Sequence, residues 1–212
     1  MKRTKIKEIL QDGVAGNSVT VMGWVRTKRE SKNVAFLAVN DGSTINNIQI
    51  VVDVNDEFNT LLHKIHTGAS ISAEGLLVES SGSGQRLEMQ CQKLEVIGEA
   101  NPEEYPLQPK KHSLEFLREI AHLRFRTNLF GAITRVRHSM IFAVHKFFND
   151  KGFYNIHTPI ITASDAEGAG EMFRVSVLNP NNLPLTEDGK VDFSKDFFGK
   201  ETNLTVSGQL EG

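Results

Sequence analysis

The stretch Asn33–Val52, NVAFLAVNDGSTINNIQIVV, decides the fold. Asn33–Asn40 reads as a strand, Asp41-Gly42-Ser43 as a turn, and Ile45–Val52 as the next strand, together a hairpin. Working outward, Val19–Arg26 (VTVMGWVR) is a third strand, with Val19, Val21, Gly23 and Val25 on one face and Thr20, Met22, Trp24 and Arg26 on the other. On the other side the period changes. Phe58, Leu61, Leu62 and Ile65 fall at i, i+3, i+4 and i+7 within Asp56–His66, the stripe of a short amphipathic helix. Ala69–Val78 and Arg86–Ile97 are two more strands, joined by the turn SSGSGQ.

Three strands, a helix and two strands in under about 100 residues is the order of an OB-fold, a five-stranded Greek-key barrel whose face and loops bind oligonucleotides. Another small β-domain with one helix fits the same pattern.

Beyond the barrel, Glu99–His112 (EANPEEYPLQPKKH) contains Pro102, Pro106 and Pro109 and predicts an extended linker. Ser113–Leu123 predicts a short helix capped by Ser113. Leu129–Lys151 predicts a long one, with Phe130, Ile133, Val136, Met140, Val144, Phe147 and Phe148 as an apolar stripe. Gly152 suits the left-handed position that ends it. The run FYNIHTPIIT is extended, because Pro159 keeps Thr158 out of the α region. The helix stripe can pack on a partner subunit or on the rest of its own domain.

Composition bounds the function. The net charge is −2, from 24 Lys and Arg against 26 Asp and Glu, which excludes a uniformly basic nucleic-acid coat protein but not a local patch. The single cysteine, Cys91, excludes an internal disulfide and a CxxC metal site, and a reducing cytoplasmic compartment follows as the expectation. No apolar run approaches a membrane span, and MKRTKIKEIL lacks the apolar core of a secretory signal. There is no GxxxxGK[ST], HExxH or GxSxG, and the pairs His63/His66 and His138/His145 lack a third ligand, so no metal site is expected.

Two groups carry possible chemistry. Arg26-Thr27-Lys28-Arg29, with Lys32, Phe36 and Gln49, offers cations for phosphates, a ring for stacking and an amide for a base edge. The alternative is a solvated cationic turn with Phe36 in the core. Ser164–Phe173, SDAEGAGEMF, is a small-residue loop in which Glu167 and Glu171 could clamp a cationic group such as an α-amine, or simply a surface loop.

Four blocks carry a family resemblance: GWVRTKRESKNVAFLAVNDGS, HSLEFLREIAHLRFRTNLFGAITRVRHSM, GFYNIHTPIITASDAEGAGEMFRVS and KDFFGKETNLTVSGQL. Together they resemble the bacterial asparaginyl-tRNA synthetases, class II aminoacyl-tRNA synthetases of the subgroup that includes the aspartyl and lysyl enzymes. The resemblance implies an α+β chain. Residues 1–98 would form an OB-fold anticodon-binding domain, 99–112 a linker, and 113–212 a hinge helix with the start of an antiparallel-sheet catalytic domain. It implies that Phe36 stacks on the central anticodon uracil, that Gln49 bonds its edge, that Arg29 holds nearby backbone or base, and that Glu88 reads the first anticodon base. Pro159 matches the dimer motif, Glu167 the carboxylate over the amino acid's ammonium, and Gln209 an amide beside the bound amino acid.

The implied activity is ATP-dependent activation of L-asparagine to the adenylate and its transfer to the 3′ end of tRNA(Asn), with ATP and Mg²⁺, by a cytoplasmic homodimer. The motifs with the ATP-binding arginines do not occur in these 212 residues. The expectation is therefore of the N-terminal portion of a longer chain, cut at SGQLEG and inactive alone, with no catalytic residue of its own. Glu211 stands where relatives carry a neutral residue. An aspartyl enzyme, including one that charges both tRNAs, and a non-catalytic OB-fold RNA-binding protein remain the alternatives.

Overall fold

The structure, a computed structural model, describes residues 2–82, 84–165 and 172–210. By its internal contacts the chain divides into two units, Met1–Met140 and Ile141–Gly212.

The first unit is built on a closed barrel. Its strands are β1 (Ser18–Glu30), β2 (Val34–Asn40), β3 (Ile48–Asp53), β4 (Ser70–Glu79) and β5 (Leu87–Gly98), in the order β1-β2-β3-β5-β4, with β4 closing on β1. All pairs are antiparallel except β3 with β5, whose parallel pairing is possible because a helix and a strand lie between them in the chain. The period-2 pattern determines which side chains enter. Ala35, Leu37 and Val39, then Ile48, Ile50 and Val52, then Leu87, Met89 and Cys91 are buried, while Phe36, Gln49 and Glu88 lie between them on the outside. Each large aliphatic side chain so enclosed contributes about 1.5–3 kcal/mol. Helix α2 (Asp56–Lys64) plugs one end with Phe58 and Leu62. Its N-terminus is capped by Asn55, whose Oδ1 accepts from the Phe58 amide at 2.8 Å.

A helix not anticipated from the pattern, α1 (Ile6–Asp12), adds Ile6 and Ile9 to the same core. Asp41, foreseen only as a turn residue, holds this helix. Its carboxylate accepts from the Ile6 amide at 3.1 Å, from the Ser43 amide at 3.0 Å and from the Ser43 hydroxyl at 2.6 Å, and it lies 3.5 Å from Arg3. Burial raises the Asp41 pKa, but these hydrogen bonds, that of the Ser43 hydroxyl first, and Arg3 outweigh it and hold the carboxyl below its usual range.

Strand β1 carries a bulge. Val25 pairs with Val39, yet Thr27 pairs with Ala38, so Arg26 is an extra residue. Up to Val25 the odd positions face the core, whereas past the bulge Thr27 and Arg29 face outward. Unbroken alternation from Val19 would have sent Arg29 inward.

The proline segment Glu99–His112 has no helix or strand, as expected, but it does not hang free. Leu107 is buried, and the Tyr105 ring lies so close to Gly68 that a Cβ there would meet it at 2.7 Å. Helix α3 (Leu114–Glu119) is capped by Ser113, whose hydroxyl accepts from the Phe116 amide at 3.2 Å. It is shorter than the 113–123 predicted, and a 3-10 turn follows at Arg124–Arg126. Helix α4 (Asn128–Asp150) ends as predicted. Gly152 has φ +85, its amide reaches the Asn149 carbonyl at 2.9 Å, and the Phe153 amide reaches Phe148 at 3.0 Å, a Schellman closure.

In the second unit the strands are short. β6 (Ile161–Thr162), β7 (Arg174–Val175) and β8 (Thr202–Leu204) form an antiparallel sheet ordered β6-β8-β7. Of the extended run before it, only Ile161 and Thr162 join the sheet. Asp196 ties a loop down by accepting from the amides of Val177 at 3.0 Å and Phe197 at 2.8 Å. Those two amides and Ser176, the Val177 amide first, outweigh desolvation and keep the Asp196 carboxyl below its usual range. Among the described residues no helix is long and apolar enough to cross a membrane.

Candidate functional site

The outer face of β1, β2, β3 and β5 carries two rows of side chains, set by strand register. One row is Thr27, Ala38, Gln49 and the neighbouring Glu88. The next is Arg29, Phe36, Val51 and Gln90. The register therefore brings together Arg29, Phe36, Gln49 and Glu88, drawn from four strands. Phe36 is half-buried at an outward register position, which excludes the reading that places it in the core. Arg29 lies over that ring, 5.8 Å from its centroid. Thr27 and Ala38 are small and leave a shelf beside it.

A hydrogen-bond chain crosses the shelf. Arg29 Nη2 donates to Gln49 Oε1 at 3.3 Å, and Gln49 Nε2 donates to Glu88 Oε2 at 3.1 Å. The chain sets the amide's orientation, since the flipped amide would put donor against donor at Arg29 and acceptor against acceptor at Glu88. The Ser80 hydroxyl also donates to Glu88 Oε2, at 3.2 Å. Ser80 was legible only as part of the SSGSGQ turn, and nothing in the sequence pointed to this contact. The result is an aromatic shelf with a fixed amide, one cation and one carboxylate around it. Such a set can stack a planar ring and read donors and acceptors on its edge.

The cationic run Arg26–Arg29 does not form one patch. Lys28 turns toward helix α2, where its Nζ donates to the Leu62 carbonyl at 2.8 Å and pairs with Glu30 at 3.1 Å. Arg26, the bulge residue, donates to the Arg126 carbonyl. Burial, opposed by Tyr105 and reinforced by Arg126, holds Arg26 below its ordinary pKa. The Arg126 guanidinium in turn lies 4.6 Å from the centre of the Trp24 ring. Of the three cations in the run, only Arg29 lies at the aromatic shelf.

In the second unit, Pro159 is exposed just before β6, and the Thr205 amide donates to the Ile160 carbonyl at 2.9 Å. Gln209 is exposed, and its amide donates to Ser207 Oγ at 3.1 Å. Gly208 lies against Thr158, where a Cβ would meet the threonine hydroxyl at 2.6 Å. Glu167, Glu171 and Glu211 lie outside the described residues. Among those described, no three His, Cys, Asp or Glu side chains are grouped to hold a metal ion.

Comparison with known proteins divides the chain in two. A family of OB-fold nucleic acid binding domains matches residues 19–97, and the class II tRNA synthetases (D, K and N) match residues 113–202. The asparagine–tRNA ligase of Porphyromonas gingivalis is 58% identical over 212 residues, which are 100% of this chain and 45% of that protein. That of Cytophaga hutchinsonii is 61% identical over 214 residues, 100% of this chain and 46% of that protein. The chain thus spans a little under half the length of these curated relatives. Among solved structures, asparaginyl-tRNA synthetase from Pyrococcus horikoshii complexed with asparaginyl-adenylate superposes with a TM-score of 0.78 at 24% identity, over 100% of this chain and 44% of that one. A putative aspartyl-tRNA synthetase from Leishmania major gives 0.74 at 19% identity, over 99% and 39%. At such identities the likeness establishes the fold.

Proposed function

We propose, from the likeness of the whole chain to asparagine–tRNA ligases and from its matches to an OB-fold nucleic acid binding domain and to the class II tRNA synthetases, that its barrel binds the anticodon of tRNA(Asn) for the ATP-dependent attachment of L-asparagine to that tRNA. The observation that carries this reading is the Arg29–Gln49–Glu88 hydrogen-bond chain beside the half-buried ring of Phe36. Phe36 stacks on the central uracil. Gln49, with its amide orientation set, bonds the uracil edge. Arg29 holds the neighbouring backbone or base. Glu88 accepts from the first anticodon base through Oε1, since Oε2 already accepts from Gln49 and Ser80.

The division is 1–98 for the anticodon-binding barrel, 99–112 for the connection and 113–212 for part of the catalytic domain. In that second part Glu167 would take the ammonium of asparagine and Gln209 would lie beside the amino acid. Pro159 and α4 would belong to the interface of a homodimer. Class II activation needs ATP and Mg²⁺. No side chain here needs to act as a nucleophile, because the asparagine carboxylate attacks the ATP α-phosphate. The residues of this chain bind and orient. We place the reaction in the cytoplasm.

Phe36→Ala tests the reading directly. It should weaken binding of an RNA hairpin carrying the tRNA(Asn) anticodon loop by about 1–3 kcal/mol through lost stacking, in a titration at fixed salt. Unchanged affinity would overturn it. Arg29→Ala should lower the slope of log affinity against log salt by about one if Arg29 holds a phosphate. Asparagine-dependent ATP–pyrophosphate exchange by the full-length protein, compared with aspartate, tests the substrate.

A further inference from the structure

Arg26, the extra residue in β1, takes no part in the aromatic shelf, and its guanidinium donates instead to the carbonyl of Arg126. Arg126 closes the 3-10 turn that precedes α4. Its own side chain returns to the barrel. The guanidinium lies 4.6 Å from the centre of the Trp24 ring, and Nη1 donates to Tyr105 Oη at 3.4 Å. The Tyr105 ring packs on Gly68, whose amide donates to the Val25 carbonyl at 2.8 Å. A second attachment lies further along the helix. Arg135 Nη2 donates to the Gly42 carbonyl at 2.8 Å, in the same turn that Asp41 ties to α1. Asn128 and Arg135 are about two turns apart, or about 10 Å of helix axis. Little else fixes this helix. Among the described residues of α4 only Gly131 is buried. Between the two attachments lies a cavity of about 1360 Å³, lined by Trp24, Asn40 and Ile45 of the barrel and by Gly131, Thr134 and His138 of the helix. Apolar packing across that space is therefore slight, and the helix direction rests on hydrogen bonds, which are directional.

Resting on the anticodon reading above, we propose that Arg26 and Arg135 are positioning residues for tRNA charging: they fix the direction in which α4 leaves the barrel, so that a tRNA held at its anticodon meets the catalytic domain with its 3′ end in place. Such a tRNA engages the protein at two distant points. Once the first is bound, the second engagement is intramolecular, with an effective concentration set by the span and stiffness of what connects the two. A helix pinned at two points is a stiff connection. Freed at either point it spreads over many directions, and most of them put the 3′ end out of reach. Neither arginine touches the reacting atoms. Activation of asparagine in the absence of tRNA does not depend on the connection, and neither does anticodon binding by the barrel alone. The bulge in β1 thus has a use at the hinge, since it places the Arg26 side chain against the turn that starts α4.

The test uses the full-length protein. Arg26→Ala and Arg135→Ala should each lower kcat/KM for intact tRNA(Asn) by about tenfold through the lost effective concentration. Affinity for the anticodon hairpin and the rate of asparagine-dependent ATP–pyrophosphate exchange should both stay within about twofold, because neither spans the connection. The slope of log kcat/KM against log salt should not change. A phosphate contact by either arginine would instead lower it by about one in the variant. An unchanged kcat/KM, a parallel fall in hairpin affinity or in exchange, or a lowered salt slope would each overturn the inference. Phe36→Ala, titrated alongside, keeps the two readings apart. If it leaves hairpin binding unchanged, the anticodon reading fails. If it weakens binding while Arg26→Ala and Arg135→Ala leave kcat/KM unchanged, only the positioning role fails.

Discussion

In the barrel, Leu37, Ile50, Ile71 and Met89 are fully enclosed by their own strands and by α1 and α2. In the unit that follows Met140, Phe142 is 64% exposed, Tyr154 92% and Phe197 75%, and Phe153, Ile156 and Val177 also face solvent. The barrel gains its hydrophobic free energy within one short stretch of chain. The second unit has a three-stranded sheet with strands of two or three residues, and most of its large side chains gain nothing until something covers them. A homodimer through α4 or more of the same catalytic domain, as proposed above, would supply that cover. One region is stable on its own terms. The other holds surfaces whose value lies in assembly.

Single substitutions sharpen this contrast. Leu37→Ala should cost about 3 kcal/mol by urea unfolding, the price of lost burial plus a cavity. Phe142→Ala should cost under about 0.5 kcal/mol in the isolated chain, because the side chain is already in water. Equal effects would erase the distinction. Two glycines give a smaller contrast. At Gly75 in β4 an added Cβ would meet the Gln90 carbonyl oxygen at 2.1 Å, so Gly75→Ala should destabilise by about 1–3 kcal/mol through overpacking. At Gly152 a Cβ meets nothing within 4 Å, and only the φ of +85 is unfavourable, so Gly152→Ala should cost about 1 kcal/mol.

A further contrast between folded and unfolded barrel concerns pH. Burial pushes the Cys91 thiol up to about 11, from 9.0. Well below pH 9.0 the thiol is protonated in both states and adds no slope. Between pH 9.0 and about 11 the unfolded chain gives up the proton that the folded barrel keeps, so stability falls as pH rises. The loss should be roughly 1–2 kcal/mol. Cys91→Ala should abolish that part of the alkaline slope, and the native thiol should alkylate slowly until urea opens the barrel.

The strands and α2 were legible because apolar side chains recur at periods of 2 and 3.6 in Asn33–Val52 and Asp56–His66. The cap Ser113 and the terminator Gly152 were legible because their chemistry is local. Helix α1 was not read, although Ile6, Ile9 and Leu10 have helical spacing, because the segment is short and its docking depends on Asp41, far along the chain. For the site, residue types alone left Phe36 undecided between core and surface. Only the register of four strands could place Arg29, Gln49 and Glu88 around one ring. The scattering of Arg26 and Lys28 away from Arg29 was equally hidden, since it follows from one extra residue in β1.

That extra residue gives strand β1 something like a reading frame. Upstream of Arg26 the odd-numbered side chains are packed in the core. Downstream Thr27 and Arg29 face outward beside Phe36. Deleting Arg26 would leave Val25 opposite Val39 and Thr27 opposite Ala38 in a regular ladder, so Arg29 would keep its outward face, whereas inserting one residue between Thr27 and Arg29 would turn Arg29 inward. A strand of this kind can therefore lose its bulge residue and keep the face, but a residue gained downstream of the bulge inverts it.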